Sequence, residues 1–280
     1  MSAPSLPQLL VGHWSGSWSV SAEGALFAIL YVWAARRVRG RWPARRTLSF
    51  LAGIGCVLVA LESGIDSFDN RLLSVHMVQH MLLLMVAPLL LLCGQPVLLV
   101  LRALPPHSRP ALASWLARLR GLGAPLTCLA VFYATVLLTH LSGFYDATLT
   151  HPALHDLEHG LYLLAGLALW WPVLDCDPVP ARRLGGLGRL IYVLAAMPPM
   201  ALLGAYLNRH GSLIYPHYAA PARALGISAV ADQQQAGALM WVAGSVVMVA
   251  VGLWASIAAL LDEERRQALR DARPAAGSSS

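Results

Sequence analysis

The chain has no lysine: all 20 of its basic residues are arginine, and charged residues of either sign fill only 12% of its 280 positions. So low a charge density lies well outside the range of soluble globular domains. Cysteine is scarce as well, with four residues at 56, 93, 128 and 176 and no CxxC spacing. That pattern argues against a thiolate metal site and against a disulfide, and leaves free structural thiols. Signatures of catalysis are missing too. There is no GxSxG, no phosphate-binding glycine loop and no HExxH, so no enzyme is indicated. No basic stretch precedes the first apolar run, and no cleavable signal peptide is expected.

What the chain has in abundance is apolar sequence, 57% of all residues. Seven runs of roughly 17–25 residues are each long enough to cross about 30 Å of hydrocarbon as a helix. They cover about 19–37, 47–64, 72–92, 124–141, 154–173, 187–207 and 237–261. The expected fold is therefore all-α, a polytopic membrane protein with a single seven-helix transmembrane domain over residues 1–262. A small, polar tail over 263–280 is expected to be disordered. The arginines set the orientation. Seventeen fall in alternate loops and the C-terminal tail, and only Arg71, Arg209 and Arg223 fall on the other side. The positive-inside rule then puts the N-terminus outside and the C-terminus in the cytoplasm. The net charge of +6 becomes a topological and lipid-contact signal, not a nucleic-acid footprint.

On that topology nine of the ten histidines lie on the outer side, with His107 the exception. Depth is more informative than side. His76 lies roughly 6 Å and His80 roughly 12 Å along the third helix, where lipid offers a polar group no partner. A four-residue step puts the two imidazoles on one helix face, a spacing at which both can bind one metal ion. Met77 and Met81 run beside them at the same step. The fifth run repeats the device in THPALHDLEHGLYLL, with His151, His155 and His159 at four-residue intervals and Asp156 and Glu158 alongside. Pro152 suits a first helical turn, which leaves His151 at or before the cap.

A lone membrane histidine serves more often as an interhelical hydrogen-bond partner than as a ligand. Two His-x3-His pairs at matched depth favour a metal or haem site instead. Methionine by itself is ordinary packing material. Pro88 is expected to kink the third helix, and Pro198 and Pro199 to break the sixth. The long outer loop from Asn208 to Ala236 is expected to fold over the outer face. It leads into ADQQQAGALMW, where Asp232 and the glutamines need partners. Glu23, Glu62 and Asp66 fall near the outer boundary as solvated, capping or supporting groups. Trp14, Trp18, Trp170 and Trp171 are assigned to the membrane interfaces.

Imidazole suits copper of either valence and thioether favours copper(I), whereas Gln79 in HMVQH cannot act as a zinc hydrolase base. Haem clamped between the third and fifth helices is the alternative cofactor, although it leaves the doubling at four-residue steps unexplained.

Three stretches carry a resemblance: HMVQHMLLLMVAPLLLLCGQP at 76–96, HxxxHDxEHGxYLLAGLALWWPV from His151 to Val173, and DQQQAGALMW from Asp232. With them the chain resembles the multi-span CtaG-type cytochrome c oxidase assembly factors over nearly all seven runs. The likeness implies a bacterial cytoplasmic-membrane protein that works with oxidase subunits and helps mature a haem–copper oxidase by handling copper. It supplies no ligand set. His76, His80, His155 and His159 are candidate ligands on spacing, with Met77, Met81, His151, Glu158 and Asp232 as additional or supporting groups. A haem-binding electron carrier and a copper transporter are the alternatives. The apolar inner halves of the third and fifth runs offer a transporter no polar path.

Overall fold

A backbone in an apolar medium can satisfy its own N–H and C=O groups along one segment only as a helix. The computed structural model describes residues 5–10, 14, 18–38, 40–118, 121–174 and 184–271, and no strand occurs among them. His13, Cys176, Arg39, Arg120, Arg182, Arg183 and Arg273 lie outside the described residues.

Six helices are long and apolar enough to cross a membrane: Trp18–Arg37, Ala44–Asp69, Leu73–Ala103, Pro152–Leu174, Gly186–Arg209 and Ala229–Asp271. A further pair, Pro125–Thr139 and Gly143–Thr150, is bent by 76° and makes a seventh segment if counted as one. At 1.5 Å per residue Pro125–Thr139 alone is about 22 Å long, short of the hydrocarbon thickness. In chain order these are the first to seventh segments. The first turns Leu26, Phe27, Ile29, Leu30 and Trp33 outward as an exposed apolar face.

Two boundaries differ from expectation. The seventh segment begins at Ala229, eight residues early, because Ser228 accepts the Ala231 N–H as its cap. The DQQQ stretch is thus helical, and the connection between the sixth and seventh segments shrinks to 210–228. The same segment runs on to Asp271, so residues 263–271, expected to be disordered, form an exposed helical end. Arg266 pairs with Asp262 across one turn at 2.5 Å there, a spacing that favours helix.

The third segment packs against the second, fifth and seventh. Its contact with the fifth depends on glycine. A β-carbon at Gly166 would stand 2.4 Å from the Leu84 carbonyl oxygen and 2.5 Å from Pro88 Cγ. Pro88 has no N–H for the Leu84 carbonyl, so that oxygen is released from the ladder and faces Gly166. The expected kink takes the form of a π-helical turn over Leu82–Val86, immediately before Pro88. The expected break at Pro198 and Pro199 does not occur, and the sixth segment is one helix from Gly186 to Arg209. Tyr133 Oη donates at 2.6 Å to the Ala195 carbonyl that Pro199 leaves free, which removes the main cost of the proline. Trp170, assigned to an interface from sequence, is fully buried in the core with Phe132, Tyr162 and Met85.

Candidate metal centre

The histidine helix starts at Leu73, and its cap position is Leu72, which has no side-chain acceptor. Asp232 of the seventh segment supplies one. Its carboxylate accepts from Leu73 N–H at 2.6 Å, from Ser74 N–H at 3.4 Å and from the Ser74 hydroxyl. A negative charge at a helix N-terminus also meets the positive end of the dipole. Asp232 is therefore placed as an intersegment cap one turn before His76. Gln79, one helical step from His80, donates to the Ala60 carbonyl at 3.0 Å and to Asp66 at 3.4 Å. Glu62 is buried and accepts from Ser21 at 2.6 Å, whereas Glu23 is exposed.

These contacts fix the face that carries the imidazoles. His76 Nε2 and His80 Nε2 stand 2.9 Å apart, and both residues are buried. Two ring nitrogens that close cannot both present lone pairs unless a proton or a cation lies between them. Opposite them Glu158, 0% exposed, has Oε2 at 4.0 Å from His76 Nε2 and Oε1 at 3.9 Å from His80 Nε2. Neither Glu158 oxygen has a hydrogen-bond partner among the described residues. Thr148 lies near, but its hydroxyl donates to the Tyr145 carbonyl at 2.8 Å. Separations of this size suit three donors about 2 Å from one common point.

A second group shares His76. Asp69 and His155 approach at 3.5 Å between Oδ2 and Nε2, and one donor atom each of Asp69, His76 and His155 lie within 4.8 Å of one another. His159 is the fourth expected ligand. Its ring is 4.2 Å from that of His155 and 6.2 Å from that of His80, and its Nε2 is buried without a partner among the described residues, but it joins neither three-donor group. His151 is exposed and bonds locally to Ala147 O and Thr150 Oγ1. Met77 is buried beside Tyr145, Tyr215 and Tyr218, and Met81 packs on the main core.

The 210–228 connection packs over the cluster. Gln233 holds it at two points, accepting from Ile214 N–H at 2.7 Å and donating to Ser212 O at 3.0 Å. Tyr215 then donates to the His140 carbonyl at 3.0 Å, and the Tyr218 hydroxyl lies 3.1 Å from His76 Nδ1. Burial pushes the Tyr218 phenol well above its ordinary pKa and keeps it protonated. Its oxygen can accept from His76 Nδ1–H, which leaves the His76 Nε2 lone pair for a cation.

Three residues of the cluster were not singled out from sequence. Asp69, in DSFDN, precedes the third segment by four residues, and only the fold turns it back to His155. His140 caps the first of the fourth segment's two helices, and nothing in THLSG distinguishes it from an interface residue. Tyr218 sits in a connection whose path composition does not specify. Glu158, noted only as a supporting group, is the carboxylate that faces both imidazoles of the third segment.

A family profile described as cytochrome c oxidase caa3 assembly factor matches residues 29–260. Among curated proteins, uncharacterized proteins of Mycobacterium bovis and Mycobacterium tuberculosis are each 31% identical over 275 residues. The match covers 91% of this chain and 40% of theirs. An uncharacterized protein of Mycobacterium leprae is 30% identical over 271 residues, with the same coverage of both chains. The chain thus spans about 40% of the length of these relatives. No solved structure matches.

Proposed function

The chain belongs to the cytochrome c oxidase caa3 assembly factor family, and from that premise we propose that it holds copper as cargo for the oxidase. His76, His80 and Glu158 form the holding site in this reading, with Asp69 and His155 adjoining. One observation carries it: two imidazole nitrogens 2.9 Å apart face a fully buried carboxylate whose two oxygens have no hydrogen-bond partner among the described residues. A buried, unpaired carboxylate is costly, and a cation between these donors offsets that cost. Imidazole suits copper of either valence, and the carboxylate supplies a negative charge for the cation. The chain's own residues do the rest. Tyr218 fixes the His76 tautomer, Asp232 holds the helix, and the 210–228 connection excludes water.

Space favours a metal ion over haem. The His80 ring stacks on Tyr162 at 3.9 Å, and the His76 and His155 rings are 5.3 Å apart. A cofactor-sized pocket needs roughly 300 Å³ or more. The role is one of binding and delivery, without catalysis. The positive-inside count supports a cytoplasmic-membrane protein with this cluster in the extracytoplasmic half, from which copper passes laterally to an oxidase subunit.

The test is copper content and affinity of the purified chain, measured with an absorption spectrum. Wild type is expected to bind copper without a Soret band. The variants His76→Ala and Glu158→Gln are expected to bind it at least tenfold more weakly, with affinity falling on acidification as protons compete for the imidazoles. Wild-type affinity in both variants, or a Soret band in the native protein, overturns the proposal.

A further inference from the structure

The methionines that this reading leaves unused collect at one place. Met77, Met81, Met200 and Met240 line a small cavity together with His80 and His140. It has room for about one water-sized sphere. The four thioethers come from three segments that are distant in sequence. Two of them, Met81 and Met200, end beside Gly244: from the position its β-carbon would take, Met200 Cε is 3.1 Å, Met81 Cε 3.6 Å and Met200 Sδ 3.8 Å away. Helical irregularities meet here as well. One π turn, Leu82–Val86, begins directly after Met81, and a second, Leu239–Ala243, contains Met240. Such turns recur at functional sites because they displace side chains from the regular helical face.

Packing accounts for methionine in a core, but it does not account for the histidines. His140 is 7% exposed, and its Nδ1 lies 2.8 Å from the Val136 carbonyl. A carbonyl only accepts, so Nδ1 carries the proton, and the neutral ring keeps its lone pair on Nε2. That Nε2 is buried and has no partner among the described residues. His80 Nδ1 is likewise buried and unpartnered, on a ring whose other nitrogen faces His76. The cavity therefore combines soft sulfur donors with an imidazole lone pair, on His140 Nε2, that has no hydrogen-bond partner among the described residues.

We propose that this cavity is a second metal site, selective for copper(I), with His140 Nε2 as its nitrogen donor and Met81 and Met200 as thioether donors. Thioether ligands select copper(I) over harder or divalent ions. The site lies beside the carboxylate–histidine centre and shares the His80 ring with it. Copper(I) can therefore move from one to the other as a ligand exchange, without change of valence. Met77 and Met240 complete the apolar wall that keeps water from the thioethers.

The experiment uses the full chain in detergent micelles, loaded anaerobically with copper(I) from a competing chelator. Stoichiometry is measured together with X-ray absorption at the copper edge. Wild type is expected to show sulfur scatterers at about 2.3 Å, the ordinary metal–sulfur distance. The triple variant Met81→Leu, Met200→Leu, His140→Gln is expected to lose them and to bind one copper(I) fewer. Leucine conserves methionine's volume, so packing is retained. The pair His76→Ala with Glu158→Gln is expected to keep the sulfur signal, which separates this site from the first. Copper(I) surrounded only by nitrogen and oxygen in wild type overturns the second site whatever the variants do. So does a sulfur signal that survives the triple substitution.

Discussion

Replacing Asp232 with alanine probes the link between the seventh segment and the helix that carries His76 and His80. The carboxylate takes one strong backbone bond, from Leu73 N–H at 2.6 Å, a weak one from Ser74 N–H at 3.4 Å, and the Ser74 hydroxyl. Loss of an N-cap acceptor costs about 0.5–2 kcal/mol. A buried N–H left without a partner adds about 1–3 kcal/mol, and Leu72 at the cap position has no side chain to replace the acceptor. The 3.4 Å contact contributes little. Together these give a loss of about 1.5–5 kcal/mol, with Asp232→Asn intermediate because one acceptor oxygen remains. The assay is denaturant unfolding in mixed micelles, followed by helical circular dichroism, with copper affinity measured in parallel. A double-mutant cycle with Ser74→Ala should return a coupling of about 0.5–3 kcal/mol. Copper stoichiometry should survive, since Asp232 belongs to neither donor group. Wild-type stability in Asp232→Ala refutes the cap. Full stability with abolished copper binding makes Asp232 a ligand instead.

Two further outcomes follow from the same geometry. Gly166→Ala should separate the third and fifth segments by about 1 Å, the difference between the 2.4 Å its β-carbon would face and ordinary contact; copper affinity should fall with helix content unchanged, and wild-type affinity would count against the packing argument. Tyr218→Phe removes the hydroxyl 3.1 Å from His76 Nδ1 and should weaken copper binding about tenfold, the usual effect of losing a partner behind a ligand. Titration of both proteins against a copper chelator decides it, and equal affinities reject the role given to Tyr218.

The apolar runs and the arginine bias needed no structure to be read, because the cost of unpaired backbone in lipid depends on composition and length alone. Helical periodicity likewise put His76 beside His80, since a four-residue step always returns to one face. Even the supporting acid Glu158 was visible, one residue before His159. Its part as the carboxylate facing both third-segment imidazoles was not visible, because that depends on the rotation of the fifth helix about its own axis. Gly166 and the released Leu84 carbonyl set that rotation by permitting close approach at one place. Pro198 and Pro199 read as a break in the sixth helix because local rules cannot foresee the Tyr133 hydroxyl that satisfies the carbonyl Pro199 frees.

Local sequence, then, determined an all-helical chain with about seven apolar segments and a family likeness resting on three of them. Tertiary structure decided which polar groups meet. Asp69, Glu158 and Tyr218 reach the third-segment histidines from three other parts of the chain, and Asp232 crosses from the seventh segment to cap their helix. Spacing along one helix constrains neighbours on that helix only. Where separate helices converge is set by the small residues and freed carbonyls at their crossings, and those act only once the segments have packed.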